Sequence, residues 1–350
     1  MNRNHTKQNR LRYLFASVTV GLSILAAGCG QSAAPAPQTD KAAQPATGQL
    51  QKVTVMLDWF PNTNHSGLYV AKDKGYYQAQ GLDVEIEQPG QGTQADQLAA
   101  AGKVDFAVSY QEAVTQARAT NIPLVSIAAV IQHNTSAFAS PKDKNILSPK
   151  DFEGKRYGGW GSPSEEAVIK AVMTKAGGDP SKVQMVTLGA TDFFKSIGRD
   201  ADVEWIYYGW DGIQAKINKM DLNLQMVKDL DPALDYYTPV IVTNEQHVNE
   251  QKDLVKKFMV ATAKGYQEAI SNPSEAATIL LKNAPELNPE LVKQSQAWLS
   301  TKYQDDAPQW GVQKEEVWDR YAKWMYDRKL IPKMIEPSKA FTNDFLPEKQ

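Results

Sequence analysis

The chain has 350 residues, and its 38 Lys and Arg against 40 Asp and Glu give a formal net charge of −2. This length is enough for two lobes, and the acidic balance argues against nucleic acid, which is bound by basic surfaces. Cys29 is the single cysteine, so the rest of the chain has no disulfide, cysteine zinc site or catalytic thiol. The four histidines show no metal-ligand spacing, and no nucleophile elbow indicates a serine hydrolase.

Residues 1–28 predict a lipoprotein signal peptide. Four basic residues precede the apolar run Leu14–Leu25, which is too short for a stable transmembrane helix. The run ends in Leu25-Ala26-Ala27-Gly28-Cys29, which resembles a bacterial lipobox. We therefore expect Cys29 to be the lipidated first residue of the mature protein, which its acyl chains anchor to the extracytoplasmic face of the cell membrane.

Residues 29–49 predict a flexible linker between the lipid anchor and the folded part. The segment is rich in Ala, Pro, Gln and Thr and has no hydrophobic period, so it cannot contribute to a core. Without the four basic residues of the signal peptide, 34 basic residues face 40 acidic ones, a net charge of about −6.

Strands and helices alternate in the next part of the chain. The apolar patterns predict strands at Lys52–Leu57, Leu82–Glu87, Val104–Val108 and Leu124–Ile131. Helices are predicted between them at Ser66–Lys74, Thr93–Ala101 and Gln111–Ala119. Gly75 and Gly102 directly follow two of these helices, as left-handed C-caps do. The alternation predicts a parallel sheet with helices on its faces.

A second set of elements follows and predicts a second lobe. Its strands are predicted at Arg156–Gly159, Gln184–Leu188 and Val203–Tyr208, and its helices at Ser164–Ala176 and Asp192–Ile197. Val240–Thr243 is predicted to be a strand that returns to the first lobe. The C-terminal part is predicted to be helical at Gln251–Ala269, Ser274–Lys282, Pro289–Leu299 and Lys314–Arg328.

Polar or proline-bearing crossings near Ser140–Lys142 and Tyr236–Pro239 divide the two sets. The first lobe is predicted to comprise residues 50–140 plus 240–350, and the second residues 141–239. This α/β arrangement with two crossings is typical of a hinged binding protein that closes on its ligand.

Polar and aromatic side chains follow two strands of the first lobe. In parallel sheets, ligands bind at the carboxyl ends of the strands, where we expect Asp58, Trp59, Asn62 and Tyr110. A carboxylate and an amide can recognise an amino-heterocycle, and an indole supplies a stacking face. Turn formation is the alternative for Asp58 and Asn62, and core packing is the alternative for Tyr110. Capping or packing explains His65 as well as ligand contact does.

The second lobe offers further aromatic and acidic side chains. Trp160 lies in a glycine-rich turn after a predicted strand. Glu204 lies within an apolar strand, where a carboxylate is costly unless it is paired, so it either meets a buried cation or faces the cleft. Tyr207, Tyr208 and Trp210 cannot all point the same way in a strand, so some belong to the core. The predicted ligand-binding residues are Asp58, Trp59, Asn62, Tyr110, Trp160, Glu204, Tyr207 and Trp210.

Several sequence motifs within residues 50–345 resemble those of a known family. They are Leu57–His65, Lys74–Tyr77, Gly81–Val84, Gly102–Phe106, Gly158–Pro163 and Tyr207–Gly212. Together they resemble the formylaminopyrimidine-binding, thiamin-pyrimidine branch of the solute-binding proteins of ABC importers, a group that also includes the thiamin pyrimidine synthases. The resemblance implies a two-lobed periplasmic-binding-protein fold of type II and a monomer without cofactor. It also implies thiamin salvage with an ABC permease and ATPase as partners.

The resemblance leads us to expect a thiamin-related pyrimidine as ligand, formylaminopyrimidine or hydroxymethylpyrimidine. Its ring would stack on Trp59, Tyr110 and Trp160, and its nitrogen edge would bind Asp58, Asn62 and Glu204. Another heterocycle such as riboflavin is an alternative, as is a sulfonate, which calls for positive groups that the motifs lack. A synthase is disfavoured, because the fungal enzymes need a cysteine cluster and a histidine in the helix that corresponds to Gln111–Thr115.

Overall fold

The computed structural model describes residues 49–90, 94–189 and 191–348. The predicted signal peptide, Cys29 and nearly all of the predicted linker lie outside these ranges. Among the helices within them, none is long and apolar enough to cross a membrane.

Within the described ranges, ten strands form two five-stranded sheets. The strands are β1 (Gln51–Met56), β2 (Leu82–Glu87), β3 (Phe106–Ser109), β4 (Leu124–Ala129), β5 (Ser136–Pro141), β6 (Arg156–Gly159), β7 (Gln184–Thr187), β8 (Val203–Tyr207), β9 (Leu222–Met226) and β10 (Val240–Asn244). The first sheet has the order β2-β1-β3-β10-β4, and the second has the order β7-β6-β8-β5-β9.

Helices cover the sheets and form most of the C-terminal part. They are α1 (Ser66–Asp73), α2 (Tyr76–Ala79), α3 (Ala95–Ala100), α4 (Gln111–Ala119), α5 (Pro163–Lys175), α6 (Phe193–Ser196), α7 (Ile213–Ile217), α8 (Val227–Leu230), α9 (Glu245–Glu250), α10 (Lys252–Ser271), α11 (Pro273–Asn283), α12 (Pro289–Leu299), α13 (Glu315–Asp327) and α14 (Pro337–Ala340). A π-helical turn, Tyr208–Gly212, follows β8.

The sheets are mixed rather than parallel throughout. β1 runs parallel to β2 and β3, whereas β10 is antiparallel to β3 and β4. In the second sheet β6 is parallel to β7 and β8, and β5 is antiparallel to β8 and β9. The α/β class with two sheets is confirmed, and the expectation of purely parallel pairing was wrong.

β5 and β9 are the two strands that the sequence patterns did not predict. The β5 sequence SAFASP is dominated by small residues of low strand propensity. β5 nevertheless lies between two strands of the second sheet and is almost completely buried. Its burial against both neighbours therefore overrides a weak local preference.

The chain changes sheet twice. It leaves the first sheet between β4 and β5 and returns between β9 and β10. Because β5 begins at Ser136, the second sheet begins a few residues before the predicted crossing at Ser140–Lys142. The lobe boundaries stay a prediction.

Close helix packing fixes α1 behind the first sheet. A Cβ atom on Gly265 of α10 would lie 2.1 Å from the Gly67 carbonyl oxygen of α1. The two helices therefore touch through backbone, as only glycine permits. Beneath them, the ring of Phe106 from β3 stacks on Phe258 with 3.8 Å between ring centroids. This packing fixes both β3 and the start of α1 against α10.

Candidate ligand-binding site

Asp58, His65 and Tyr110 form a hydrogen-bonded group at the carboxyl ends of β1 and β3. The parallel register of the two strands brings these ends side by side. The Tyr110 hydroxyl donates to Asp58 Oδ2 at 2.7 Å, and His65 Nε2 lies 2.7 Å from Asp58 Oδ1. Both oxygens of the carboxylate are thus engaged by protein groups.

The backbone fixes which nitrogen of His65 carries the proton. The Asn62 amide donates to His65 Nδ1 at 3.2 Å, so Nδ1 is an acceptor and the proton lies on Nε2. That proton is donated to Asp58. Burial alone would raise the pKa of Asp58, but the bonds from His65 and Tyr110 outweigh it and lower the pKa below its ordinary value. Asp58 is therefore an anion held in one orientation.

Trp59 and Asn62 differ in what their side chains do. Trp59 is 47% exposed and touches Phe60 edge to face, with 5.8 Å between centroids. Asn62 caps the short helical turn after it, since its Oδ1 accepts from the Asn64 amide at 2.9 Å and its Nδ2 donates to the Phe60 carbonyl. The indole is free to stack on a ligand, whereas the amide groups of Asn62 already serve the turn.

Tyr207 belongs to the second sheet, and its pKa is affected by the charge of Asp58. It ends β8, and the negative charges of Glu112 and Asp58 add to the effect of burial in raising its pKa. Tyr110 is affected in the same way by burial, Asp58 and Tyr207. Both hydroxyls therefore stay protonated over the ordinary pH range. Among the predicted residues, a hydrogen bond joins Asp58 and Tyr110, and the charge of Asp58 also contributes to the raised pKa of Tyr207.

The three aromatic residues at the end of β8 divide as follows. Tyr207 lies toward Asp58 and Glu112, while Tyr208 packs on Trp298 of α12 with 4.9 Å between centroids. Trp210 packs against the core of the first sheet and its helices. This packing contributes to the hydrophobic core. The predicted contact of Trp210 with a ligand stays a prediction.

Trp160 extends the site along the second sheet. It is 47% exposed, and its ring centroid lies 5.6 Å from that of Trp205. Trp205 and Tyr207 alternate with Glu204 and Ile206 along β8, so they share one face of the sheet. Trp205 and Tyr207 therefore lie on one face of the second sheet, and Trp160 packs on that face.

The glycines before Trp160 serve packing. A Cβ atom on Gly159 would lie 2.1 Å from Glu165 Oε1. The Glu165 carboxylate is buried there and accepts from the Tyr157 hydroxyl at 2.8 Å and the Gly161 amide at 3.0 Å. Ser162 caps α5 by accepting from the Glu165 amide. The turn that displays Trp160 is thus held by Glu165.

Glu204 lies on the other face of the second sheet. Its neighbours there include Gly158, whose Cβ would lie 3.2 Å from Glu204 Cγ, and the cluster around Phe193 of α6. Glu204 is 7% exposed, and its Oε1 has no hydrogen-bond partner within the described ranges. Burial, with help from Asp211, raises the pKa of Glu204 to about 7. The structure does not bring Glu204 to Asp58, so its ligand role stays a prediction.

Sequence reasoning missed Glu112 and Trp205. Glu112 lies in the first turn of α4, where an acidic residue is ordinarily explained by the helix dipole. Trp205 was passed over beside more conspicuous aromatic residues, and its indole nitrogen is buried without a partner in the described part of the chain. The available signals were the closeness of Glu112 to the end of β3 and the place of Trp205 in the same strand as Tyr207.

Over the described ranges, no group of three or more His, Cys, Asp and Glu side chains could hold a metal ion. A surface groove of about 620 Å³ is lined by Glu166, Ala167, Lys170, Ala171, Thr174, Lys175, Arg328 and Leu330. The groove includes none of the predicted ligand-binding residues, so we place the candidate site at the strand ends.

Comparison with known proteins gives consistent results. Residues 62–276 match the family described as NMT1/THI5 like. The chain is 32% identical over 300 residues to a formylaminopyrimidine-binding protein of Halalkalibacterium halodurans, covering 84% of this chain and 90% of the relative. It is 24% identical over 304 residues to a 4-amino-5-hydroxymethyl-2-methylpyrimidine phosphate synthase of Legionella pneumophila, covering 85% of this chain and 93% of the relative.

A solved structure shows the fold. The alkanesulfonate-binding protein SsuA of Xanthomonas axonopodis pv. citri, bound to MOPS, superposes with a TM-score of 0.65 at 16% identity. The match covers 86% of this chain and 99% of SsuA. At this identity the likeness concerns the fold alone. The chain belongs to the NMT1/THI5-like family and has the fold of the periplasmic binding proteins.

Proposed function

We propose that the protein is the extracytoplasmic, lipid-anchored substrate-binding subunit of an ABC importer and binds a thiamin-related pyrimidine for thiamin salvage. The observation that carries this proposal is the Asp58 carboxylate held by His65 and Tyr110 at the strand ends of the first sheet. The 32% identity to a formylaminopyrimidine-binding protein supports the ligand class. Formylaminopyrimidine and hydroxymethylpyrimidine are the two candidates.

In the proposed mode of binding, the ring enters between the exposed indoles of Trp59 and Trp160. Each indole is about half exposed and gains a flat partner when the ligand binds. Asp58, fixed by His65 and Tyr110, accepts from an N–H group of the pyrimidine with a remaining lone pair. Closure of the two lobes then excludes water and presents the loaded form to the permease.

Synthesis of the pyrimidine is the rival function, because a synthase is among the relatives. The family resemblance ties synthesis to a cysteine cluster and to a histidine in the helix that corresponds to α4. Here no cysteine follows Cys29, and α4 reads QEAVTQARA. These substitutions favour binding over synthesis.

Calorimetric titration of the purified full chain tests the proposal. The ligands are formylaminopyrimidine, hydroxymethylpyrimidine, thiamin, riboflavin and taurine. We expect one-to-one binding of a pyrimidine and at least about tenfold weaker binding of riboflavin and taurine, a difference of about 1.4 kcal/mol. Binding of riboflavin or taurine alone would overturn the ligand class.

A further inference from the structure

Glu112 lies in the helix that directly follows Tyr110 of the candidate site. It comes two residues after Tyr110, in the first turn of α4. Its Oε1 accepts a hydrogen bond of 2.7 Å from the hydroxyl of Tyr236, which lies in the connection that leads back to the first sheet. The negative charge of Glu112 contributes to the raised pKa of Tyr110 and of Tyr207.

The second oxygen of Glu112, Oε2, is buried and has no hydrogen-bond partner within the described residues. Asp58 differs, because His65 and Tyr110 already occupy its two oxygens. A buried acceptor without a partner is costly in a folded protein, and a donor on a bound ligand would remove that cost.

The groups that face Glu112 are tyrosines. The Tyr236 hydroxyl donates to Glu112. The negative charge of Glu112 contributes to the raised pKa of Tyr110, Tyr207 and Tyr321. Burial raises the pKa of Glu112 itself to about 7, and the bonds from its own backbone amide and from Tyr236 offset only part of this rise. Near neutral pH the carboxyl group therefore exists in both protonation states.

We propose that Glu112 recognises the amino group and adjacent ring nitrogen of the pyrimidine, in addition to the contacts of Asp58. A protonated carboxyl group accepts from an amino N–H with one oxygen and donates its own proton to a ring nitrogen with the other. An aminopyrimidine presents this donor beside this acceptor, whereas a sulfonate presents only acceptors. This inference rests on the proposed function and names the specificity group of that same site.

If Glu112 binds the ligand in its protonated form, the affinity for the pyrimidine depends on pH. Because the bound form needs the proton on Glu112, affinity is highest below about pH 7 and falls as the pH rises through the pKa. Well above that pKa the dissociation constant is expected to rise by up to about tenfold per pH unit.

Titration of the full chain with formylaminopyrimidine and hydroxymethylpyrimidine from about pH 6 to about pH 9 tests this. Glu112→Met removes both hydrogen bonds and is expected to weaken binding at least about tenfold at pH 6. Glu112→Gln retains a donor and an acceptor but has no titrating proton. It is expected to bind within about threefold of the native chain at pH 6 and to lose the pH dependence.

The matched control is Glu316→Met. Glu316 also lies in the first turn of a helix, α13, but it is exposed, so affinity and its pH dependence should not change. Thermal melting of each empty variant separates a folding defect from a binding defect, and Glu112→Gln should melt higher than the native chain at pH 8 because it lacks the buried charge.

Two results would overturn the inference. One is native affinity in Glu112→Met, and the other is the same pH dependence in Glu112→Gln as in the native chain. Either result, with pyrimidine binding intact, leaves the proposed function standing. If the native chain binds no pyrimidine, the proposed function fails, and the inference fails with it.

Discussion

Asp58 at the end of β1 and Glu204 within β8 are both buried carboxyl groups, yet their electrostatics are opposite. Asp58 is held by His65 and Tyr110, and its pKa is lowered. Glu204 has an oxygen without a partner in the described ranges, and its pKa is raised to about 7. Burial acts on both in the same direction, so the hydrogen-bond donors decide the difference. The first group is a rigid anion, and the second is a source of instability.

Removal of the Asp58 carboxylate is expected to have the largest effect. Asp58→Ala leaves His65 Nε2 and the Tyr110 hydroxyl without their acceptor, and His65 is completely buried. We expect a loss of about 3 kcal/mol in the free energy of unfolding, measured by urea denaturation. Pyrimidine binding should weaken at least about a hundredfold.

The control for this experiment is Asp83→Ala in the same sheet. Asp83 is exposed on β2, so the free energy of unfolding should change by less than about 0.5 kcal/mol. Equal stability of the Asp58 and Asp83 variants would show that the carboxylate does not hold His65 and Tyr110.

Glu204→Gln is expected to stabilise the empty protein, whereas Asp58→Ala destabilises it. The folded state binds the proton of Glu204 more tightly than the unfolded state, because the pKa rises from the ordinary 4.5 to about 7. The native chain therefore loses stability as the pH rises through this window, and the full penalty is present above it. The substitution should stabilise the empty protein at pH 8, by at most about 3 kcal/mol, and have little effect at pH 4.

Melting curves of the native and Glu204→Gln proteins at the two pH values check this. The same difference in melting temperature at pH 4 and pH 8 would rule out a raised pKa as the cause. Titration of the same variant with the pyrimidine tests the predicted ligand role, since unchanged affinity would remove Glu204 from the binding residues.

Trp160→Ala is expected to have the smallest effect on stability. The indole is 47% exposed and packs only on Trp205 among the aromatic rings of the described residues, so the free energy of unfolding should fall by about 1 kcal/mol. Affinity for the pyrimidine should fall about tenfold because a stacking face is lost, about 1.4 kcal/mol. Tyr326→Ala is the control, since Tyr326 is 45% exposed in α13 and should leave affinity unchanged. Equal affinities of the two variants would remove Trp160 from the site.

The elements predicted well are those with a strong local signal. The alternation of Leu82–Glu87 predicts β2 with its observed bounds. Left-handed Gly75 and Gly102, with φ of 73° and 65°, follow α1 and α3 as expected. Ser136–Pro141 has no such signal, and its neighbours in the sheet decide its conformation.

The candidate site was only partly predictable. Asp58 and Tyr110 follow strands directly, so chain position alone predicted their meeting. Glu204 required knowledge of which face of β8 it occupies, and that is set by the register of β8 with β5 and β6. Glu112 resembles an ordinary helix-start residue in sequence, and only the fold shows that one of its oxygens has no partner within the described residues.

A crystal structure of the protein with formylaminopyrimidine bound would show where the ligand lies. We expect the ring between Trp59 and Trp160, with its nitrogen edge within hydrogen-bonding distance, about 3 Å, of Asp58 and Glu112. A pyrimidine bound instead in the groove between α5 and Arg328, or against Glu204 on the opposite face of β8, would contradict this expectation.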